Sequence, residues 1–298
     1  MPEEAASTYE EAPVSVQATI EAALGSLSPS LGRVGSAIRE NPAMVLDSTI
    51  NDLATACDTS VASVVRFCRA IGLSGYTQLR MLLAAELGKE AAQFGGASYG
   101  ADITEGESLP AMAQKIAALE ILAIEETIER MDYRALEEIV DALDGADRIL
   151  LYGVGASRSV AEDLQGKLFR IGRNAFAPSE PHEAWAAAAI PVEGVVVIGF
   201  SHLGETHETV EFLRLARDHG ARTIGITGVK DSSLARLADI AVFTQVRETT
   251  FRAGAMVSRI AQLAVVDCIF AGVAQRRYDY TIEALRRTRE VTRGARGV

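Results

Sequence analysis

The stretch LYGVGASRSVAEDL, residues 151–164, decides the fold. An apolar run, RILLYG (148–153), ends in G-x-G and passes straight into a helical pattern. Dinucleotide-binding motifs begin this way, but their third glycine is missing: after Gly153 and Gly155, that position holds Arg158. What remains is a strand, a tight glycine turn and a helix N-terminus, whose free amides and positive dipole end suit an anionic or polar ligand. Ser157 adds a hydroxyl there. Taken alone, the turn reads equally well as a structural junction that binds nothing.

Similar runs recur downstream. NAFA (174–177), VVVIGF (195–200), RTIGIT (222–227) and IAVFTQ (240–245) alternate with helical patterns, and a further helix spans roughly 254–274. Strands that are apolar throughout, alternating with helices, belong to a parallel sheet covered on both faces. Five of them with right-handed crossovers predict an α/β three-layer sandwich with a five-stranded parallel sheet. Ligands of such sheets bind at the C-terminal ends of the strands. A second loop, FSHLGETHET (200–209), falls on that same edge, with Ser201, Gly204 and Thr206 crowding a strand-to-helix junction.

The N-terminal region reads differently. Residues 16 to about 90 are helical in pattern. In STINDLATACDTSVASVVRFCRAIG (48–72), Ser48 is expected to cap a helix running to about Cys57. Asp58 and Thr59 form a turn in which Asp58 tolerates a positive φ. Ser60 caps a second helix, which Gly72 closes in the left-handed conformation. This is a helix-turn-helix, whose second helix enters the major groove. Val61, Val64, Val65 and Cys68 are expected to face inward; Ser60, Ser63 and Arg66 face outward, with Arg69 nearby. Arg66 suits a guanine edge and Arg69 a phosphate. Tyr76 and Gln78 follow and are expected at the DNA backbone. Within 28–88 five arginines meet five acids, so affinity for DNA must come from a local surface.

Bulk properties narrow the classes. The chain has 298 residues, 48% of them apolar, and a net charge of −11, which gives no global attraction to nucleic acid or anionic membrane. Cys57, Cys68 and Cys268 lack ligand spacing and read as reduced thiols of a cytoplasmic protein. No metal and no cofactor is expected. MPEEAASTYEEAP is acidic and does not read as a secretory signal. AQLAVVDCIFAGVA (261–274) is short for a membrane span and contains Asp267, so it reads as a buried helix, with no membrane partner. The expected organisation is a disordered tail (1–15), a helix-turn-helix domain (16–92), a Gly/Ser-rich linker (93–110), the α/β domain (111–275, helical to about 143 before the first strand) and a basic C-terminal helix or tail (276–298).

The loop pair G-x-G-x-S and S-x-x-G-x-T on a five-stranded α/β layout resembles the SIS (sugar isomerase) domain. The helical N-terminus, with RFCRAIGLSGYTQLR (66–80), is similar to the DNA-binding domain of RpiR-type transcriptional regulators. LQGKLFRIG (164–172) and FRAGAMVSRIAQLAVVD (251–267) add to that likeness, which covers about residues 24–88 and 146–275. It implies an all-α helix-turn-helix domain followed by a SIS domain. The implied function is that of a homodimeric or homotetrameric regulator of carbohydrate metabolism, binding operator DNA and sensing a sugar phosphate or related metabolite. The implied ligand residues are Gly155, Ala156 and Ser157, then Ser201, His202, Gly204, Glu205 and Thr206, with Glu248 after the last strand. One departure stands out: the usual S-x-S-G-x-T has Leu203 in place of its middle serine, and Glu205 adds a negative charge. The expectation is a sugar-derived ligand that is more weakly bound, differently oriented or unphosphorylated. A SIS-type isomerase using His182, His202, His207, Glu180, Glu205 or Glu248 is the enzymatic alternative; a SIS domain serving only dimerisation is the other. The attached helix-turn-helix favours a regulator that is not an enzyme.

Overall fold

The computed structural model describes residues 15–94, 106–190, 193–246 and 255–294. The chain divides into two compact units, with the boundary between Ala97 and Ser98.

The first unit is helical: α1 (Val16–Ala23), a 3-10 turn (Leu24–Ser26), α2 (Pro29–Glu40), α3 (Met44–Asp47), α4 (Ile50–Ala56), α5 (Val61–Ala70) and α6 (Tyr76–Phe94). Val34, Ile38, Leu53, Val64, Phe67, Leu79 and Leu83 form one buried core. Gly35 lets α2 lie close to α5: a methyl there would sit 2.8 Å from a Leu24 methyl and 3.1 Å from the Phe67 ring. The turn between α4 and α5 has the predicted form, with Asp58 at φ 46° and Gly72, beyond α5, at φ 82°. The cap of α4 is Thr49 rather than Ser48. Thr49 has a carboxylate three residues on, so its hydroxyl accepts from the Asp52 amide while Asp52 accepts from the Thr49 amide.

The second unit holds α7 (Leu109–Glu129), α8 (Tyr133–Gly145), β1 (Arg148–Gly153), α9 (Ala156–Arg170), β2 (Ala175–Phe176), α10 (Pro181–Ala188), β3 (Val195–Phe200), α11 (His207–Asp218), β4 (Arg222–Thr227), α12 (Ser233–Leu237), β5 (Ile240–Phe243), α13 (Met256–Arg276) and α14 (Tyr278–Gly294). The helical pattern expected over 111–143 is two helices, because Asp132 starts a new one by accepting from the Arg134 and Ala135 amides at 3.0 Å each.

All five strands are parallel, in the order β2-β1-β3-β4-β5. Successive strand residues alternate between two cores. Ile149, Leu151, Ile198 and Phe200 face α8, α9 and α13, with Ile139, Val160, Leu164 and Val265. Leu150, Tyr152 and Val197 face α10, α11 and α12, with Ala184, Phe212 and Leu234. The 21-residue α13 is long and apolar enough to cross a membrane by composition, but Val265, Val266, Ile269 and Val273 are buried in the sheet core, as expected of a core helix. The chain leaves β1 towards β2 on one side and then crosses to β3 on the other. That reversal is a topological switch point, where a crevice opens at the carboxyl ends of the strands. Gly153, the last residue of β1, is registered with Phe200, the last of β3. The two predicted loops therefore start side by side.

The basic C-terminal segment is helical as α14. Arg286 pairs with Glu283 and Glu290, and Arg287 with Glu283. Arg276 and Arg277, just before it, bridge to Asp141 and Asp144 of α8.

Candidate functional site

The first loop is shaped by two glycines with different roles. Gly155 caps α9 at φ 61°, ψ −124°, a conformation only glycine adopts without strain. A methyl on Gly153 would stand 2.7 Å from the Ser157 carbonyl oxygen, so the end of β1 touches the first turn of α9. No side chain caps that turn, which leaves amides around Gly155 and Ala156 at a positive helix end. Ser157 is buried, and its hydroxyl donates to Gln262 Oε1 on α13 at 3.1 Å. Gln262 is itself buried, and its Nε2 has no hydrogen-bond partner among the described residues.

The second loop is a compact knot. Gly204 turns at φ 70°, and its amide donates to Ser201 Oγ at 3.1 Å. Ser201 and Thr206 share one hydroxyl–hydroxyl bond of 3.0 Å. Since one of the two donates to the other, one proton of the pair is left for a ligand. Thr206 starts α11 without a side-chain cap, so a second helix opens its amides beside the first. His202 is buried and braces the loop: its carbonyl accepts from the Gly228 amide at 2.8 Å and from the Thr227 hydroxyl at 3.0 Å. Leu203 is exposed on the loop.

Glu205 is anchored within the second unit. Its carboxylate accepts from the Ser233 amide at 2.8 Å and the Ser233 hydroxyl at 2.7 Å, holding the start of α12. Those bonds, helped by Arg236, lower its pKa below the ordinary carboxylate value. Glu205 therefore stays ionised, with its carboxylate held against Ser233. Glu248 lies outside the described residues. Beside the second loop, Trp185 donates from Nε1 to the Glu208 carbonyl at 3.0 Å. His182 and His207 flank its ring edge-on, with centroids 5.4 Å and 6.2 Å away.

In the first unit, α5 and the start of α6 carry the predicted contact residues, with four corrections. Ser63 is buried rather than outward, because it lies on the Phe67 side of the helix. Its hydroxyl pairs with Ser60 Oγ at 3.1 Å and accepts from Arg66 Nη2 at 3.0 Å. Val61 is exposed rather than inward. Tyr76 turns into its own unit, where its hydroxyl lies 2.8 Å from the Ser48 carbonyl and 3.1 Å from that of Val45, within donating reach of both. Gln78 likewise accepts from the Ser74 amide and hydroxyl at the start of α6. Arg66 and Arg69 are exposed, as is Ser60, which caps the helix by accepting from the Ser63 amide.

Two residues escaped the sequence analysis. Gln262 sits 105 residues from Ser157, and nothing local marks it. Arg33 is the other: its guanidinium donates to the Cys57 carbonyl at 3.0 Å and the Asp58 carbonyl at 2.6 Å, clamping the turn before α5.

Comparison with known proteins places these features in context. The family model for the SIS domain matches residues 142–272, and that for the helix-turn-helix domain of the rpiR family matches residues 14–90. An uncharacterised HTH-type transcriptional regulator of Caldanaerobacter subterraneus is 40% identical over 276 residues, 93% of this chain and 96% of that one. Among solved structures, the Vibrio vulnificus NanR protein complexed with ManNAc-6P is 26% identical with a TM-score of 0.58, covering 92% of this chain and 97% of that one. The sugar isomerase domain of an RpiR transcription factor from Sphaerobacter thermophilus shares the fold, at 24% identity and a TM-score of 0.54 over 62% of this chain and 99% of that one.

Proposed function

The chain belongs to the rpiR family of helix-turn-helix transcriptional regulators with a SIS domain, and on that premise we propose that it binds operator DNA through α5 under the control of a sugar-derived effector held at the β1/β3 switch point. One observation carries the effector reading: two uncapped helix N-termini and the hydroxyls of Ser157, Ser201 and Thr206 lie at the register-paired ends of β1 and β3. Paired helix ends attract an anion, and the hydroxyls and amides suit a polyol. NanR, which shares 26% identity, is complexed with an amino-sugar phosphate, ManNAc-6P. Glu205 stays ionised beside Ser233, so a phosphate here meets paired positive helix ends and one nearby negative charge, and Leu203 and Glu205 together mark the departure from the usual loop.

The reading is binding rather than catalysis, in a cytoplasmic homodimer or homotetramer. The Glu205 carboxylate in the second loop is bonded to Ser233, and the His202 ring packs against Gly228. Two half-sites on one operator raise the affinity of an individually weak surface.

Trp185 is the single tryptophan and is bonded to the first turn of α11, so its emission reports on the second loop. Titration with N-acetylmannosamine 6-phosphate, other sugar phosphates, sugar acids and free sugars should give a saturable change for one class, with a matching rise in Tm. No response in either measurement across the whole set would defeat the effector reading.

A further inference from the structure

The second helix of the helix-turn-helix offers the groove an unexpected chemistry. The serine hydroxyls predicted to touch DNA are engaged within the protein: Ser60 with Ser63, and Ser63 with Arg66. What α5 turns outward is Val61, which is 37% exposed, then Ala62, part of Val65, and the guanidiniums of Arg66 and Arg69. The helix holds two arginines and no acid, in a chain of net charge −11. Its exposed face is therefore locally basic, and its first turn is apolar.

In the major groove the apolar feature of the base edges is the thymine 5-methyl group, and apolar side chains such as alanine read it by contact. The N-terminal residues of a second helix are the ones that reach base edges. We propose that α5 reads a thymine through Val61 and Ala62, beside a guanine read by Arg66. Ala62 and Arg66 are four residues apart and share the exposed face, so they stand about 6 Å apart along the helix axis. Base pairs stack about 3.4 Å apart, which places the guanine within about two steps of the thymine. Ser63 orients the Arg66 guanidinium towards the groove, and Arg69 takes a phosphate. This inference rests on the DNA-binding reading above, and its test separates the two.

The full-length protein is used to select binding sites from a randomised duplex library. Each thymine of the selected half-site is then replaced by uracil, which pairs identically and lacks the methyl. The expected result is one or two positions where uracil weakens binding by about fourfold, the worth of one buried methyl-sized group. Val61→Ser, at a half-exposed first helical position, should fold as the parent by circular dichroism and bind the thymine and uracil sites alike. A selected site whose every thymine tolerates uracil overturns the thymine reading while leaving DNA binding intact. So does a uracil effect that survives unchanged in both Val61→Ser and Ala62→Ser, since it then arises elsewhere. Enrichment of no sequence at all defeats the DNA-binding reading and this inference with it.

Discussion

Replacing Ser157 by alanine tests whether the bond between the first loop and α13 has the energetic character that its burial implies. Ser157 is 7% exposed and Gln262 1%. The amide of Gln262 makes one bond, from the serine hydroxyl to its Oε1, while its Nε2 has no partner among the described residues. Ser157→Ala leaves that whole amide buried and unsatisfied, at a cost of about 1–3 kcal/mol. Gln262→Leu removes the amide with its unpaired nitrogen and keeps the apolar volume, so its cost should be below about 1 kcal/mol. In the Gln262→Leu background the serine has no buried acceptor to abandon, and Ser157→Ala should then cost about 0.5 kcal/mol or less. The two changes are therefore non-additive by about 1–2 kcal/mol. Urea unfolding followed by the emission of Trp185 reads the unit that contains both residues. For a unit of this size, 1 kcal/mol moves Tm by about 2–4 °C. There is a functional counterpart. A serine whose proton goes to Gln262 faces a ligand as an acceptor, and phosphate oxygens offer it only repulsion. Gln262→Leu frees the proton and should raise the preference for a sugar phosphate over its free sugar by up to about tenfold, the weight of one charge-assisted bond. Additive destabilisation, with an unchanged preference between the two ligands, would refute the reasoning.

Three further outcomes are expected. Gly204→Ala places a methyl on Ser232 at a positive φ and 2.9 Å from Thr227 Oγ1, so it should cost about 1–3 kcal/mol and abolish the effector-induced rise in Tm, read by thermal melts with and without effector. Arg33→Met removes both donors that clamp the turn before α5; the first unit should lose about 1–3 kcal/mol and bind operator DNA more weakly, while Trp185 titrations with effector stay as in the parent, which gel-shift and fluorescence assays check together. Burial pushes the Cys68 thiol from 9.0 up to about 11. The unfolded thiol therefore ionises first, so the stability this residue contributes is complete below pH 9.0 and lost as pH rises to about 11; Cys68→Ala should flatten the fall in Tm over that window.

The parts legible in the sequence are those set by backbone pattern. Apolar runs located the five strands, glycine spacing located the loop after β1, and Asp58 and Gly72 sit at the positive φ values their residue types suggested. The directions of polar side chains were not legible. Ser63, Tyr76, Gln78 and Glu205 each looked available to a ligand, and each is bonded within its own unit. A serine on a short helix has partners in reach three and four residues away, and a tyrosine near a turn meets carbonyls that only tertiary packing supplies. Pattern indicates where such groups lie along the chain; it does not show which acceptor they find first. Val61 shows the converse, since an apolar residue at a first helical turn reads as core unless the helix is rotated into place.

A ligand held at the switch point, as proposed, would act beyond its own loops through α7 and α13. Thr127 of α7 is fully buried, and its hydroxyl accepts from the Gln245 amide at 2.9 Å and lies 3.3 Å from the Gln245 carbonyl. It thereby serves the segment after β5 as a neighbouring strand would. Ala123 of α7 packs with Val246 and with Val257 and Ala261 of α13, in a cluster separate from the main cores. Gln262, the next residue after Ala261, holds Ser157 of the first loop. A ligand that draws on the Ser157 hydroxyl thus changes a bond whose other end belongs to α13, and α13 shares its packing with α7. In the chain α7 is the first described helix after α6, so a change that α13 passes to α7 would reach the element nearest in sequence to the DNA-binding unit. For an effector to alter DNA binding, it must favour one of two arrangements of the α7–α13 packing over the other, since a ligand that binds both equally shifts nothing.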